Sequence, residues 1–267
     1  MYNQDIKNLR KSMKTDWNKE NIFVSDQDEK KPAPPMVAMP TGAPMTVLPD
    51  PSETVIEDLS LYEMLERRRS RRVFLAESIT LQEFSFLLWC SQGYQRPRPG
   101  QKSYAALRTV PSAGCRHPFD TYLAVMKVEG LESGIYRFLP KEHAVELVKA
   151  YDAKELCGKV SEACCDQIFC GRAAVTFFWV ADMYRCEWRY PSSAHKVVLL
   201  DAGHVCQNLY LACEVLGLGT CAIGAYEQEA VDELLSGDLS SVATNPFAVD
   251  GEDRFCVYAA PVGHPRG

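Results

Sequence analysis

The sequence has no apolar run near the ~20 residues that a bilayer-crossing helix needs, so no segment reads as membrane-spanning. It also lacks positive excess. Lys and Arg number 29 against 35 Asp and Glu, a net charge of -6. A general nucleic-acid surface is not expected, and any anion site must come from a local basic cluster. There is no CxxC pair and no ligand spacing of the usual zinc or iron–sulfur kind. The 11 cysteines are odd in number and spread over 267 residues, which argues against a disulfide scaffold. The densest group (Cys157, Cys164, Cys165 and Cys170) reads as free thiols before it reads as a metal site. No metal is expected. Met1 to Arg10 is polar and has no signal-peptide core, which points to a cytoplasmic protein. No internal repeat is present.

A hydrophobic content of 46% is enough for a sizeable core, in one large domain or one domain plus an arm. Residues 1–58 form the arm. They are polar up to Lys31 and then carry seven prolines between Pro32 and Pro51. Proline fixes φ and removes backbone donors, so an extended segment is expected. Its apolar residues Met36, Val37, Met39, Val47 and Leu48 imply contact with a surface, its own or a partner's. A disordered leader is the other reading.

Residues 59–267 read as the folded domain. Ser60-Leu61-Tyr62-Glu63 and Thr80-Leu81-Gln82-Glu83 are capping boxes that open two helices. The second carries the stripe Leu81, Phe84, Leu87 and Leu88 and stops near Gly93. A Pro/Gly/Arg loop follows at 95–101. Strands are expected at 121–128, 134–139, 144–148, 173–181 and 254–262, and a short helix at 227–235. The apolar stretch 193–216 is too long for a strand and reads as a buried helix stopped by Gly217. Strands and helices do not alternate regularly, so the expected class is α+β and not a doubly wound parallel fold.

Four segments could carry chemistry. Arg67 to Arg72 holds five arginines and Ser70 at a helix end. It can grip a phosphate through charge-assisted bonds, or simply complement the helix dipole. Pro111-Ser112-Ala113-Gly114 is a small-residue loop that lets backbone approach a flat ligand, or is a plain turn. Asp201-Ala202-Gly203-His204 and Gln207-Asn208 place polar groups on the apolar helix. These need partners in the core, at a subunit contact or on a ligand. Gly217 to Ala222 matches GxGxxA formally. A helix precedes it where the dinucleotide fingerprint requires a strand, so that reading fails on context. What remains is a glycine-rich segment able to present backbone N–H groups.

In this order the four segments resemble the nitroreductase superfamily. The arginine–serine cluster with Val73-Phe74, the PSAG loop, and DAGHVCQNLYLA followed by GLGTCAIGAY are closest to its SagB-type, azoline dehydrogenase-like branch in stand-alone form. The resemblance implies a nitroreductase-like fold, with a mainly antiparallel central sheet flanked by helices, in an intertwined homodimer. It implies FMN at the dimer interface. Arg68, Arg69, Ser70 and Arg72 would hold the phosphate and ribityl chain, with Arg266 as a further phosphate contact. Pro111, Ser112 and Ala113 would line the flavin ring from the other subunit. Ala222, Ile223, Gly224 and Ala225 would face the ring near N5. Many relatives carry an acidic residue at the Gly224 position, so the N5 contact here would be backbone.

Azoline dehydrogenases of this branch carry Lys-Tyr where this chain has Arg189-Tyr190. Arginine stays protonated and cannot serve as a general base. Tyr190 can still pass a proton and is the catalytic candidate. The implied activity is hydride transfer through flavin N5. In one form a donor such as NAD(P)H reduces a nitro, quinone or similar small electrophile. In the alternative the protein oxidises an azoline or another C–N or C–C bond in a peptide or natural product. A third reading is a non-catalytic flavin-binding interaction protein working through the arm.

Overall fold

The structure, a computed structural model, describes residues 4–14, 23–95, 100, 106–236 and 248–266. Most of the loop expected at 95–101 lies outside these residues. In chain order the strands are β1 (Met45–Val47), β2 (Tyr94–Gln95), β3 (Leu107–Arg108), β4 (Phe119–Val125), β5 (Gly134–Leu139), β6 (Ala144–Ala150), β7 (Val175–Asp182), β8 (Gly219–Thr220) and β9 (Arg254–Gly263). The α-helices are α1 (Gln4–Leu9), α2 (Leu61–Arg67), α3 (Leu81–Gln92), α4 (Ala153–Ala163), α5 (Ile168–Arg172), α6 (Met183–Glu187), α7 (Ala194–Val215) and α8 (Gln228–Ser236).

Seven strands form one sheet in the order β1-β6-β5-β4-β7-β9-β8, and each named pair in it is antiparallel. This is the expected α+β class with a mainly antiparallel sheet. β7 is central, and its near-continuous apolar text follows from burial on both faces. Side chains alternate across a strand. Phe177 and Trp179 enter a core shared with α3 and α7. Phe178 and Val180 enter a second core under α4 and α8.

Both capping boxes are formed. Ser60 and Thr80 accept from the backbone N–H groups of Glu63 and Glu83, whose carboxylates reach back. Gly217 closes α7 with φ +65°. The N–H of Leu218 donates to the carbonyl of Cys213 at 2.8 Å and that of Gly217 to Glu214 at 3.3 Å, the Schellman pattern. α4 and α5 were not expected. α4 opens on Asp152, whose carboxylate accepts from the N–H groups of Lys154 and Glu155, and it buries Leu156, Val160 and Ala163.

Residues 36–48 pack on the rest of the chain. β1 adds an edge strand to β6, and Met36, Ala38 and Leu48 are buried, whereas Met39 and Val47 stay exposed. Buried guanidinium groups take carbonyls of this segment: Arg108 donates to Met36 at 2.7 Å and Arg137 to Met39 at 2.6 Å. The Glu146 carboxylate accepts from the Thr41 N–H and hydroxyl at 2.7 and 2.6 Å and pairs with Arg137 at 2.9 Å. Burial pushes the Glu146 carboxyl up, but the Thr41 and Arg137 bonds outweigh it and leave it below its ordinary value. A lowered carboxyl stabilises the fold above its unfolded pKa, and that contribution fades as pH falls through the lowered value. Glu146→Gln should therefore cost about 1.5–3 kcal/mol near neutrality. The gap to wild type should begin to narrow below roughly pH 4.3, the ordinary glutamate value, and close only once pH has fallen through the lowered folded value. Urea midpoints against pH measure it, and a gap that does not change with pH would sink the assignment.

Candidate functional site

The first group of site residues forms where α2 ends. After Arg67 the chain turns extended. Ser70 bridges to Thr220, and the N–H of Arg71 donates to the Thr220 carbonyl at 2.9 Å. A Cβ on Gly219 would stand 2.8 Å from the Cβ of Arg71, so only glycine allows this close approach. On its other side the segment meets the chain end, with the N–H of Arg266 donating to the Val73 carbonyl at 2.9 Å.

The five arginines have different roles. Arg67 pairs with Glu57 at 2.8 Å on the surface. Arg69 donates to the carbonyls of Glu66 and Arg68 at 2.6 and 2.9 Å, which closes the end of α2. Arg71 backs onto β8 through its N–H and its Cβ. Arg68 lies over the Tyr210 ring, 5.5 Å from its centroid. Arg72, Ser70 and Arg266 are exposed. The cluster is thus divided between residues that close α2 and residues left exposed.

Tyr210, near the C-terminal end of α7, joins this cluster to the glycine-rich loop. Its hydroxyl accepts from the N–H of Ala222 at 2.8 Å and lies 3.0 Å from the Ser70 hydroxyl. Sequence reasoning missed this residue. The usable signal was a tyrosine on a buried stripe, whose hydroxyl must find a partner. Ile223 is 4% exposed and paired with Ala259 in both directions, so its side chain serves the second core. Gly224 and Ala225 are exposed, and an added Cβ on Gly224 would meet nothing within 4 Å. Among the described residues their N–H groups donate to no protein acceptor. Gln167 holds the loop from behind by donating to the Ala225 carbonyl at 2.8 Å.

The second group gathers at the other end of α7. The Ser112 hydroxyl donates to Asp201 at 2.5 Å, and the Ala113 N–H donates to the same carboxylate at 3.2 Å. Ser112 in turn accepts from the N–H of His117 at 2.8 Å. Burial pushes the Asp201 carboxyl up, against the lowering effect of the Ser112 and Ala113 bonds. Gly114 has φ +59°, and a Cβ there would stand 2.6 Å from the Tyr190 hydroxyl. Tyr190 thus lies directly on the loop, with the Arg189 guanidinium 5.4 Å from its ring centroid. Pro111 is exposed.

These two groups do not meet within one chain. Asp201 and Tyr210 are nine residues apart on α7. At 1.5 Å and 100° per residue that is about 13 Å along the axis and half a turn around it. From Leu199 to Gln207 α7 exposes a stripe, although it is otherwise largely buried. Leu199 and Leu200 are 61% and 57% exposed, and Gly203, His204 and Gln207 follow on the same side. A cavity of 410 Å³ beside this helix is lined by Met64, Phe86, Trp89, Asn208 and Leu211 among others. A second cavity, of 720 Å³, lies between β6, α4 and α8 and shares no residue with either group.

The Nitroreductase family profile matches residues 65–246, and the chain belongs to that family. The nitroreductase-family protein MJ1384 of Methanocaldococcus jannaschii is 32% identical over 180 residues, covering 67% of this chain and 86% of the relative. The microcin B17-processing protein McbC of Escherichia coli is 22% identical over 154 residues, covering 56% of this chain and 54% of McbC, so the chain spans about half the length of that relative. The solved structure of a nitroreductase-family protein from Ralstonia eutropha JMP134 superposes with a TM-score of 0.65 at 26% identity, over 89% of this chain and 97% of that one. Among the described residues no helix is long and apolar enough to cross a membrane, and no group of three or more His, Cys, Asp or Glu could hold a metal. All 11 cysteines are free thiols.

Proposed function

We propose that the chain is an FMN-dependent oxidoreductase acting as a homodimer on a small molecule, with FMN held between the Ser70 cluster of one subunit and the Ser112 loop of the other. The observation that carries this reading is the junction at Tyr210. Its hydroxyl joins the exposed Ser70 to the Ala222 N–H, Arg68 lies over its ring, and two residues beyond Ala222 the loop exposes Gly224 and Ala225. The donors suit the group. Phosphate offers only acceptors, which guanidinium and hydroxyl groups match. A flavin ring needs a flat approach free of side chains, which Gly224 supplies. Bound FMN supplies hydride chemistry, while the protein supplies binding, orientation and electrostatics.

The exposed face of α7 supports the same reading. The two residue groups face opposite sides of α7, and the exposed Leu199–Gln207 stripe can meet its own copy about a two-fold axis. A second subunit would bring its Pro111, Ser112, Ala113 and Tyr190 to the first subunit's Gly224. The many free thiols fit a reducing, cytoplasmic setting.

For direction, we favour reduction of a nitro or quinone compound with NAD(P)H as donor. Arg189 cannot take a proton, which weakens azoline oxidation. The similarity to McbC, a processing protein, keeps that oxidation as the second reading. Rapid bleaching of the holoprotein by NADPH under anaerobic conditions supports the reductase. No reduction by either nicotinamide supports the dehydrogenase. Tyr190→Phe should lower turnover by roughly 10²-fold, within the usual range for a proton-transfer group, and leave FMN affinity unchanged. Unaltered kinetics would reduce Tyr190 to a support for Gly114.

A further inference from the structure

We infer that Tyr210 is a positioning residue that fixes the Ser70 hydroxyl as a hydrogen-bond donor, and so makes the site selective for a phosphorylated flavin over its dephosphorylated form. The inference rests on the FMN reading above and deepens it.

The direction of the hydrogen bonds follows from counting protons. A tyrosine hydroxyl has one proton to give and two lone pairs to receive. One lone pair of Tyr210 is taken by the Ala222 N–H at 2.8 Å. Tyr210 is 8% exposed, and among the described residues the Ser70 oxygen, at 3.0 Å, is the only other polar partner of its hydroxyl. Were Ser70 the donor, the Tyr210 proton would be left without a protein acceptor among the described residues. A stranded buried donor costs about 1–3 kcal/mol, so the opposite arrangement wins. Tyr210 donates to Ser70, and the Ser70 proton is left to point outward.

The chain therefore runs from the Ala222 N–H to the Tyr210 hydroxyl, to the Ser70 hydroxyl and then to the ligand. Arg68 over the ring, 5.5 Å from its centroid, further holds the tyrosine in place. Ser70 is exposed, so its outward proton is available. A donor fixed in this way is matched to a group that can only accept. A phosphate monoester is such a group, and its charge makes the bond roughly twice as strong; a flavin alcohol also accepts, but only as a weaker, neutral partner.

The test measures binding of FMN and of riboflavin to the flavin-stripped full-length chain, by fluorescence quenching, in wild type, Tyr210→Phe, Ser70→Ala and the double variant. Wild type should prefer FMN. Tyr210→Phe should weaken FMN by up to about tenfold, because the Ser70 hydroxyl loses the partner that orients it toward its charge-assisted bond, and riboflavin by less than about twofold. The double variant should bind FMN no more weakly than Ser70→Ala alone, because one pathway carries both effects. Equal losses on both flavins would reduce Tyr210 to a packing residue and overturn the proposal. So would additive losses in the double variant, or a wild-type FMN preference that Tyr210→Phe leaves intact. A wild-type chain that binds neither flavin overturns the cofactor reading and this proposal with it. Ser70→Ala is a surface change, so it keeps the comparison readable if Tyr210→Phe lowers the melting temperature.

Discussion

Asp120→Ala is expected to cost about 3–5 kcal/mol, a large part of the roughly 5–15 kcal/mol that holds a domain together. Asp120 lies on β4 and is 2% exposed. It receives Arg185 at 2.8 Å and Arg254 at 2.5 Å, and Arg254 also reaches Asp182 at 2.6 Å. Burial pushes the Asp120 carboxyl up, yet the two guanidinium groups override it and hold the carboxyl far below its usual range. Removal would leave two buried cations with only Asp182 to share, and the charge left uncompensated sets the size of the effect. Because the folded value is depressed, the contribution is fully present above the unfolded pKa and persists well into acid. Guanidinium denaturation reads the loss directly. A change under 1 kcal/mol would mean that water or rearrangement satisfies the arginines. The cluster ties β4, β7 and β9 to α6, and α6 leads into Arg189 and Tyr190. Its loss should therefore also loosen the Tyr190 end of the site.

The second large effect concerns the ligand. Ser70→Ala combined with Arg72→Ala should weaken FMN binding at least a hundredfold. Two charge-assisted bonds at about 1.5 kcal/mol or more each sum to about 3 kcal/mol, and each 1.4 kcal/mol is tenfold. Both side chains are exposed, so the fold should persist. FMN titration of the stripped chain measures the affinity, and circular dichroism checks the fold. An unchanged dissociation constant with an intact spectrum would remove the phosphate from this cluster.

The parts of the fold legible in the sequence were those whose signal is local. Ser60 with Glu63, and Thr80 with Glu83, announce helices because the two partners lie one turn apart. The central strand β7 and the helix α7 announce themselves by apolar runs of different length. β1 was not legible, because three residues in a proline-rich arm acquire strand geometry only through pairing with β6. α4 carried a usable pattern in Leu156, Val160 and Ala163. That pattern is short, and it lies among cysteines that invited a different question.

The site was legible as four segments but not as an assembly. The text of Arg67 to Arg72 cannot say which arginine closes α2. The structure assigns that task to Arg69 and leaves Arg72 facing outward. Ser112 gave no hint that its partner would be Asp201, 89 residues later. Tyr210 looked like any core tyrosine, because its importance comes from two loops that meet only in the fold. The half-turn between Asp201 and Tyr210 was present in the spacing all along. It acquired meaning once both residues had named partners.

The central claim is that this chain carries a flavin. The absorption spectrum of the purified full-length protein, taken with FMN supplied and then with NADPH under anaerobic conditions, tests it most directly. The account predicts a yellow protein with about one FMN per subunit, whose oxidised flavin bands fall on reduction. A folded, colourless chain that takes up no FMN would contradict it.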